Sequence, residues 1–114
     1  MKISKELLKG STTTLILSLL HSKPMYGYEI IKELESKSNG IFSFKEGTIY
    51  PILHSLEEKE LIVSYWGEGT GKRKRKYYKI NDQGKEFIQE KKEEWSVFKN
   101  AVDEVLSGEK IVWE

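Results

Sequence analysis

The sequence predicts a mainly α-helical domain carrying one β-hairpin, followed by a long last helix. Three observations carry this. Residues 61–80 hold two runs of β-branched and aromatic residues around a middle that contains Gly67, Gly69 and Gly71. Apolar residues recur at helical spacing in three stretches before that segment and in one after it. Breakers punctuate these stretches at residues 22–24, 38–40 and 107–108.

The first helix is expected over residues 4–21. Ser4 stands where an N-cap belongs, and Leu7, Leu8, Leu15, Ile16, Leu19 and Leu20 follow at helical spacing. Gly10 and the run Ser11-Thr12-Thr13-Thr14 are poor helix formers, so packing must hold this helix together. These small polar residues, with Ser18, would let another helix or a ligand approach closely. Pro24 ends the helix, because the residue before a proline disfavours helical geometry. A second helix is expected over residues 28–37, with Ile30, Ile31 and Leu34 inside and Gly40 suited to a left-handed stop. Phe42 and Phe44 read as a short connection into the core.

The third helix is expected over residues 46–59. Ile49, Leu53 and Leu56 share a face, Ile52 lies beside it, and Thr48, Tyr50, Pro51, His54 and Ser55 lie elsewhere. Proline in a helix interior costs roughly 3 kcal/mol, and much less near the first turn, whose N–H groups lack intrahelical acceptors. Pro51 therefore places the helix start shortly before it. After the hairpin, Asp82 is expected to cap a helix over residues 83–106. Ile88, Trp95 and Val102 recur every seven residues, and Phe98 and Val105 form a second row at that interval. Two such rows make a short seam of coiled-coil type, interrupted at Lys91, and Trp95 with Phe98 favours a partner helix over a fold back onto the body.

The second strand of the hairpin is expected to open with five consecutive cations: Lys72, Arg73, Lys74, Arg75 and Lys76. Side chains alternate along a strand, so three would point one way and two the other. Adjacent like charges repel, and an ordered strand that holds them suits an anionic partner; phosphate is the simplest. A solvated basic edge that deters sheet-to-sheet pairing is the structural alternative.

Composition narrows the function class. The 114 residues fit one domain, with no cysteine for a disulfide framework, a thiolate nucleophile or a Cys-based zinc site. No apolar run approaches the roughly 20 residues of a membrane span, and no signal-peptide pattern follows residues 12–20. A soluble cytoplasmic protein is expected. The net charge is only +1, but it is polarised: residues 1–81 carry 14 Lys+Arg against 9 Asp+Glu (+5), and residues 82–114 carry 5 against 9 (−4). Such asymmetry suggests that the first part binds a polyanion and the second does another job. No catalytic constellation, metal-ligand cluster or cofactor motif is visible. His21 and His54 do not combine into a metal site, and the glycine loop joins two strands rather than opening a helix.

Three helices followed by a hairpin is the order of a winged helix-turn-helix, whose third helix enters the major groove of DNA while the wing lies along the backbone or minor groove. Thr48 and Tyr50 then stand near a helix N-terminus beside Lys45, where hydroxyl and amide groups suit phosphates. Tyr26 and Tyr28 are placed to reach an adjacent phosphate, and His54 is a further candidate. Tyr77 and Tyr78 read as strand packing. A winged-helix adaptor that binds protein without DNA is the competing class; salt dependence separates the two.

The chain resembles the PadR family of transcriptional regulators. The resemblance is carried by Tyr26-Gly27-Tyr28-Glu29-Ile30, by Gly47-Thr48-Ile49-Tyr50-Pro51-Ile52-Leu53 with Leu56-Glu57, and by Lys76-Tyr77-Tyr78-Lys79-Ile80 with Gly84. The short last helix resembles the compact, multidrug-sensing LmrR-type branch. The resemblance implies a homodimer on operator DNA, usually a repressor, often released by a small molecule. It implies the DNA-contact set Tyr26, Tyr28, Lys45, Thr48, Tyr50, Pro51, His54 and residues 72–76. It also implies pairing of the first and last helices between subunits, with Leu8, Trp95, Phe98, Val102, Val105 and Leu106 at the interface. In the multidrug-sensing members a tryptophan in a Trp-Ser context helps form a flat aromatic pocket, and Trp95-Ser96 matches it. Thr14, Ser18 and Ile88 would join Trp95 around an effector there; plain dimer core is the other reading of Trp95. Lys99 stands one turn after Trp95 where the drug-sensing type carries an acidic residue, which argues against cationic drugs. Lys45 and Glu46 replace the capping residue and proline of many members. The implied division is residues 1–81 for DNA, 82–108 for dimerisation, and a tail at 109–114.

Overall fold

The computed structural model describes residues 1–108; the tail expected at 109–114 lies outside the described residues. The elements are α1 (Lys5–Leu8), α2 (Thr12–Ser22), β1 (Met25–Tyr26), α3 (Gly27–Lys37), α4 (Glu46–Glu58), β2 (Ile62–Glu68), β3 (Lys74–Ile80) and α5 (Asp82–Ser107). This is a winged helix-turn-helix with a long C-terminal helix, mainly α, as the sequence predicts.

Four local expectations are corrected. The single helix over 4–21 is two. Ser4 does cap, its Oγ accepting from the Leu7 N–H at 3.3 Å, but Gly10 adopts φ +85° and breaks the chain between α1 and α2. The second strand opens at Lys74, not Lys72, because Lys72 and Arg73 are part of the turn that the Gly69 N–H closes on the Arg73 carbonyl at 3.0 Å. Asn81, not Asp82, caps α5: its Oδ1 accepts from the Gly84 N–H at 2.8 Å. A third strand also exists. Pro24 ends α2, and the extended pair Met25–Tyr26 joins β3 in register Met25↔Tyr78 and Tyr26↔Tyr77, giving sheet order β1-β3-β2. Two residues carry no readable periodicity.

The core lies between the helices and one face of this sheet. Ile16, Leu17, Leu20, Ile30, Ile49, Leu53 and Leu56 pack with Met25, Ile62, Tyr78 and Ile80. Burying each such aliphatic side chain contributes about 1.5–3 kcal/mol. Pro51 is the sixth residue of α4, so its missing N–H falls just past the uncapped first turn. The end of α4 reverses through Glu60 at φ +60°, with the Glu60 and Leu61 N–H groups donating back to the Glu57 and Leu56 carbonyls at 3.0 Å each. This is the Schellman arrangement, here with a glutamate where glycine is usual. Asn81 Nδ2 donates to the Glu60 carbonyl at 2.7 Å, so one side chain ties the end of α4 to the start of α5.

Helix α5 begins inside the body and leaves it. Gly84 and Ile88 are its buried residues. A Cβ at Gly84 would overlap the Leu61 carbonyl oxygen and meet Ile80 Cγ1 at 2.6 Å, so only glycine lets α5 pass this close to the hairpin base. From Lys92 onward nearly every described residue is exposed. The radius of gyration is 16.9 Å, against about 13 Å for a compact domain of this length.

Candidate nucleic-acid interface

The wing tip presents bare charge. Lys72, Arg73 and Lys74 are exposed, and among the described residues none of the cations at 72–76 is within ion-pair distance of a carboxylate. Arg75 and Lys76 differ from the other three. Arg75 Cζ lies 4.3 Å from the Tyr26 ring centroid, and its Nη2 donates to Thr70 Oγ1 at 3.0 Å. Lys76, on the opposite face of the strand, has its Nζ 5.7 Å from the Tyr78 ring.

Helix α4 presents a second surface. Ile49, Leu53 and Leu56 turn inward; Gly47, Thr48, Pro51, His54 and Glu58 lie on the other side, with Lys45 at the N-cap. Lys45 is exposed there, and its ammonium, having no acceptor, does not cap the helix. Gly47 is informative. It sits in the first turn with no positive φ, and a Cβ there would meet nothing within 4 Å. Neither backbone conformation nor internal packing demands glycine at this exposed helical position, where alanine would be the better helix former. A glycine early in a helix is a signal readable in the sequence, where Gly47 enters only as part of the family motif and not among the candidate DNA contacts.

Tyr50 is placed differently from Thr48. It is half-buried and packs against the core, and a methyl at Gly27 would collide with its hydroxyl. Burial, and secondarily Glu46, pushes its phenol above the ordinary value. Tyr50 therefore fixes how closely α3 and α4 approach. Tyr28 is about half exposed with Lys32 Nζ 5.5 Å from its ring. Tyr26 lies on the outer sheet face beneath Arg75. Nearby, Lys23 pairs with Glu29 at 3.0 Å, and that hydrogen bond holds Lys23 above its usual value.

Tyr78 is buried on the inner sheet face, its phenol raised by burial first and then by Glu57 and Tyr50. Glu57 Oε2 accepts from Ser64 Oγ at 2.5 Å, tying α4 to β2.

The effector candidates lie on α2 and α5, which pack against each other. Ile88 is wholly buried in the core of the single chain, so it offers a ligand no exposed surface there. Thr14 and Ser18 are partly exposed on α2. Trp95 is half exposed, its ring 5.8 Å from that of Phe98. Phe98, Ala101, Val102, Val105 and Leu106 line an open apolar groove along α5, and Lys99 Nζ pairs with Asp103 at 3.1 Å beside it. Leu8, in α1, is half-buried.

Among the described residues, no group of acidic, histidine or cysteine side chains could hold a metal ion, and no helix is long and apolar enough to cross a membrane.

Comparison with known proteins agrees with this geometry. A protein of Lysinibacillus sphaericus called uncharacterized protein X is 36% identical over 106 residues, covering 93% of this chain and 97% of that protein. The transcriptional regulator YqjI of Escherichia coli is 32% identical over 85 residues; the match takes in 75% of this chain and only 39% of that protein. Among solved structures, a transcriptional regulator from Clostridium thermocellum superposes with a TM-score of 0.82 at 36% identity, covering 91% of this chain and 98% of that one. A PadR-like transcriptional regulator from Bacillus cereus gives 0.82 at 32%, covering 92% and 100%. The family model described as the transcriptional regulator PadR-like family matches residues 16–90, which span α2 to the first part of α5. With its winged helix-turn-helix, its basic wing and this match over most of its length, the chain belongs to the PadR-like family of transcriptional regulators.

Proposed function

We propose that this regulator is a homodimer that binds operator DNA through α4 and the wing, acts as a repressor, and is released by a small aromatic effector, in the manner of the LmrR-type branch. The observation that carries the DNA contact is the set of unpaired cations at 72–74 together with the exposed face of α4. Thr48, Pro51 and His54 face the groove, with Gly47 where the backbone can come closest; Lys45 and Tyr28 reach phosphates. Tyr26 and Tyr50 act by setting the geometry between elements.

Dimerisation is supported by the run of exposed Trp95, Phe98, Val105 and Leu106 on a helix that leaves its own body. A second copy of α5, with Leu8 and α1 beside it, would cover them. Residues 1–81 would then serve DNA and 82–108 the dimer, with the first turns of α5 shared by both. The effector reading is supported by the half-exposed Trp95–Phe98 pair, with Thr14 and Ser18 as companions. Repression follows the family resemblance.

The test is duplex binding across a salt series, with sedimentation as a parallel readout. Replacing residues 72–76 with alanine should weaken binding to every sequence and flatten its salt slope; an unchanged slope removes the wing from the mechanism. Val105→Glu should give a folded monomer, and a persisting dimer refutes the α5 seam. Saturable quenching of tryptophan fluorescence by planar aromatics, lost in a still-dimeric Trp95→Phe, supports the effector site. No quenching in the wild type makes Trp95 interface core.

A further inference from the structure

We propose that Arg75 is a positioning residue that locks the wing to the helical body through Tyr26, and that Lys72, Arg73 and Lys74 carry the wing's phosphate-facing charge. The proposal rests on the DNA-binding reading above.

The outer face of the sheet holds one continuous side-chain path. Thr70, in the hairpin turn, accepts a hydrogen bond from Arg75 at 3.0 Å. Arg75 lies over the Tyr26 ring at 4.3 Å. Tyr26 meets Tyr77 edge-on, with centroids 5.6 Å apart, and Tyr77 stacks on Tyr65 at 5.7 Å and 15°. The Tyr77 hydroxyl donates to the Glu68 carbonyl at 3.1 Å. Gly67 makes room for this layer, since a Cβ there would come within 2.8 Å of the Tyr77 ring. The path spans all three strands and runs from the turn to the middle of the hairpin.

Such a lock has a physical purpose. A two-stranded hairpin is marginal by itself in water. Strand β1 offers only two register pairs to hold it, Met25↔Tyr78 and Tyr26↔Tyr77. Tyr26 also occupies the N-cap position of α3, so a contact on its ring fixes the wing relative to the helix-turn-helix. Arginine suits this place: its planar guanidinium stacks and donates in a fixed fork, which a lysine ammonium cannot reproduce. Turning Arg75 toward a phosphate would break both of its contacts at once.

The experiment uses the full chain, a mixed-sequence DNA duplex and a salt series. Arg75→Lys keeps the charge and loses the stacked fork. It should weaken binding roughly threefold to tenfold at every salt concentration, with the salt slope unchanged. Lys74→Gln should flatten the slope by about 0.9. Combining Arg75→Lys with Tyr26→Leu should cost less than the sum of the two single losses, because both remove the Arg75–Tyr26 contact while only Arg75→Lys removes the Thr70 bond. In the free protein, amide exchange across β2 and β3 should accelerate in Arg75→Lys and Tyr26→Leu and not in Lys74→Gln. Wild-type affinity in Arg75→Lys, or full additivity with Tyr26→Leu, overturns the proposal. If the wild-type chain fails to bind duplex, the DNA reading falls, and exchange still decides the lock: unchanged exchange in Arg75→Lys refutes it.

Discussion

Gly47→Ala should make this protein more stable and a weaker DNA binder. Gly47 is an exposed helical residue of α4, and a methyl built there meets no protein atom within 4 Å. Nothing in the fold opposes the substitution, so the usual helical advantage of alanine over glycine should appear. That advantage approaches 1 kcal/mol in a helix interior and is smaller in the first turn; roughly 0.5–1 kcal/mol is expected. In a domain of this size it corresponds to a rise of roughly 2–6 °C in Tm. If α4 lies in the major groove with Gly47 against the backbone, the same methyl must be accommodated at a packed contact. Overpacking of that kind costs about 1–3 kcal/mol, or roughly 5- to 150-fold in Kd. Thermal unfolding and duplex titration on the same preparation check both halves. A stabilised variant with wild-type affinity would refute the close-approach argument. A destabilised variant would mean that the free space around Gly47 is not what it looks like.

Gly84→Ala should destabilise the fold by roughly 1–3 kcal/mol in urea unfolding, because the added methyl must displace the Leu61 carbonyl or Ile80. Ile88→Ala should cost about 2–5 kcal/mol, as for any fully buried aliphatic side chain; a small cost with altered ligand binding would return Ile88 to the effector site. The phenol of Tyr78 is raised in the folded state by burial. Its neutral form is thus favoured on folding: that contribution is complete below the ordinary tyrosine value of about 10 and is lost as pH rises through the higher folded value. Tyr78→Phe should reduce the alkaline fall in stability, measured by urea midpoints; an unchanged fall assigns it to other groups.

Long periodic stretches were legible because burial writes itself into spacing. The faces of α3 and α4, the hairpin and the reach of α5 all follow from apolar residues at helical or alternating positions. What escaped had no period. Strand β1 is two residues long and exists because Pro24 forces an extended exit from α2 beside β3. The break at Gly10 rests on one backbone angle; Gly10 is visible as a poor helix former, but leucines at helical spacing on both sides of it read as one continuous helix. Ile88 lies seven residues before Trp95, yet one is core and the other exposed. The heptad interval reports a common stripe along a helix; it does not say where along that stripe one partner gives way to another. The five cations read as one charged block, while the turn divides them by geometry, leaving three unpaired and turning Arg75 and Lys76 onto opposite faces.

The root of α5 shows why these local details reach function. Asn81 bonds to the end of α4 and to the first turn of α5, and Gly84 lets α5 lie against Leu61 and Ile80, the two residues that frame the hairpin base. The direction of α5 and the attitude of the wing are therefore set at one contact. A rotation of α5 about this root meets the hairpin base, since Gly84 lies too close to Leu61 and Ile80 to admit even a Cβ. It must either shift the base of β2 and β3 or break the Asn81 bonds. Side-chain contacts on the outer sheet face hold the other end of the wing to α3 through Tyr26. The wing is thus held between the start of α3 at one end and the α5 root at the other. Packed contacts connect the α5 root to the basic tip, and a double-mutant cycle between the two measures whether they are coupled.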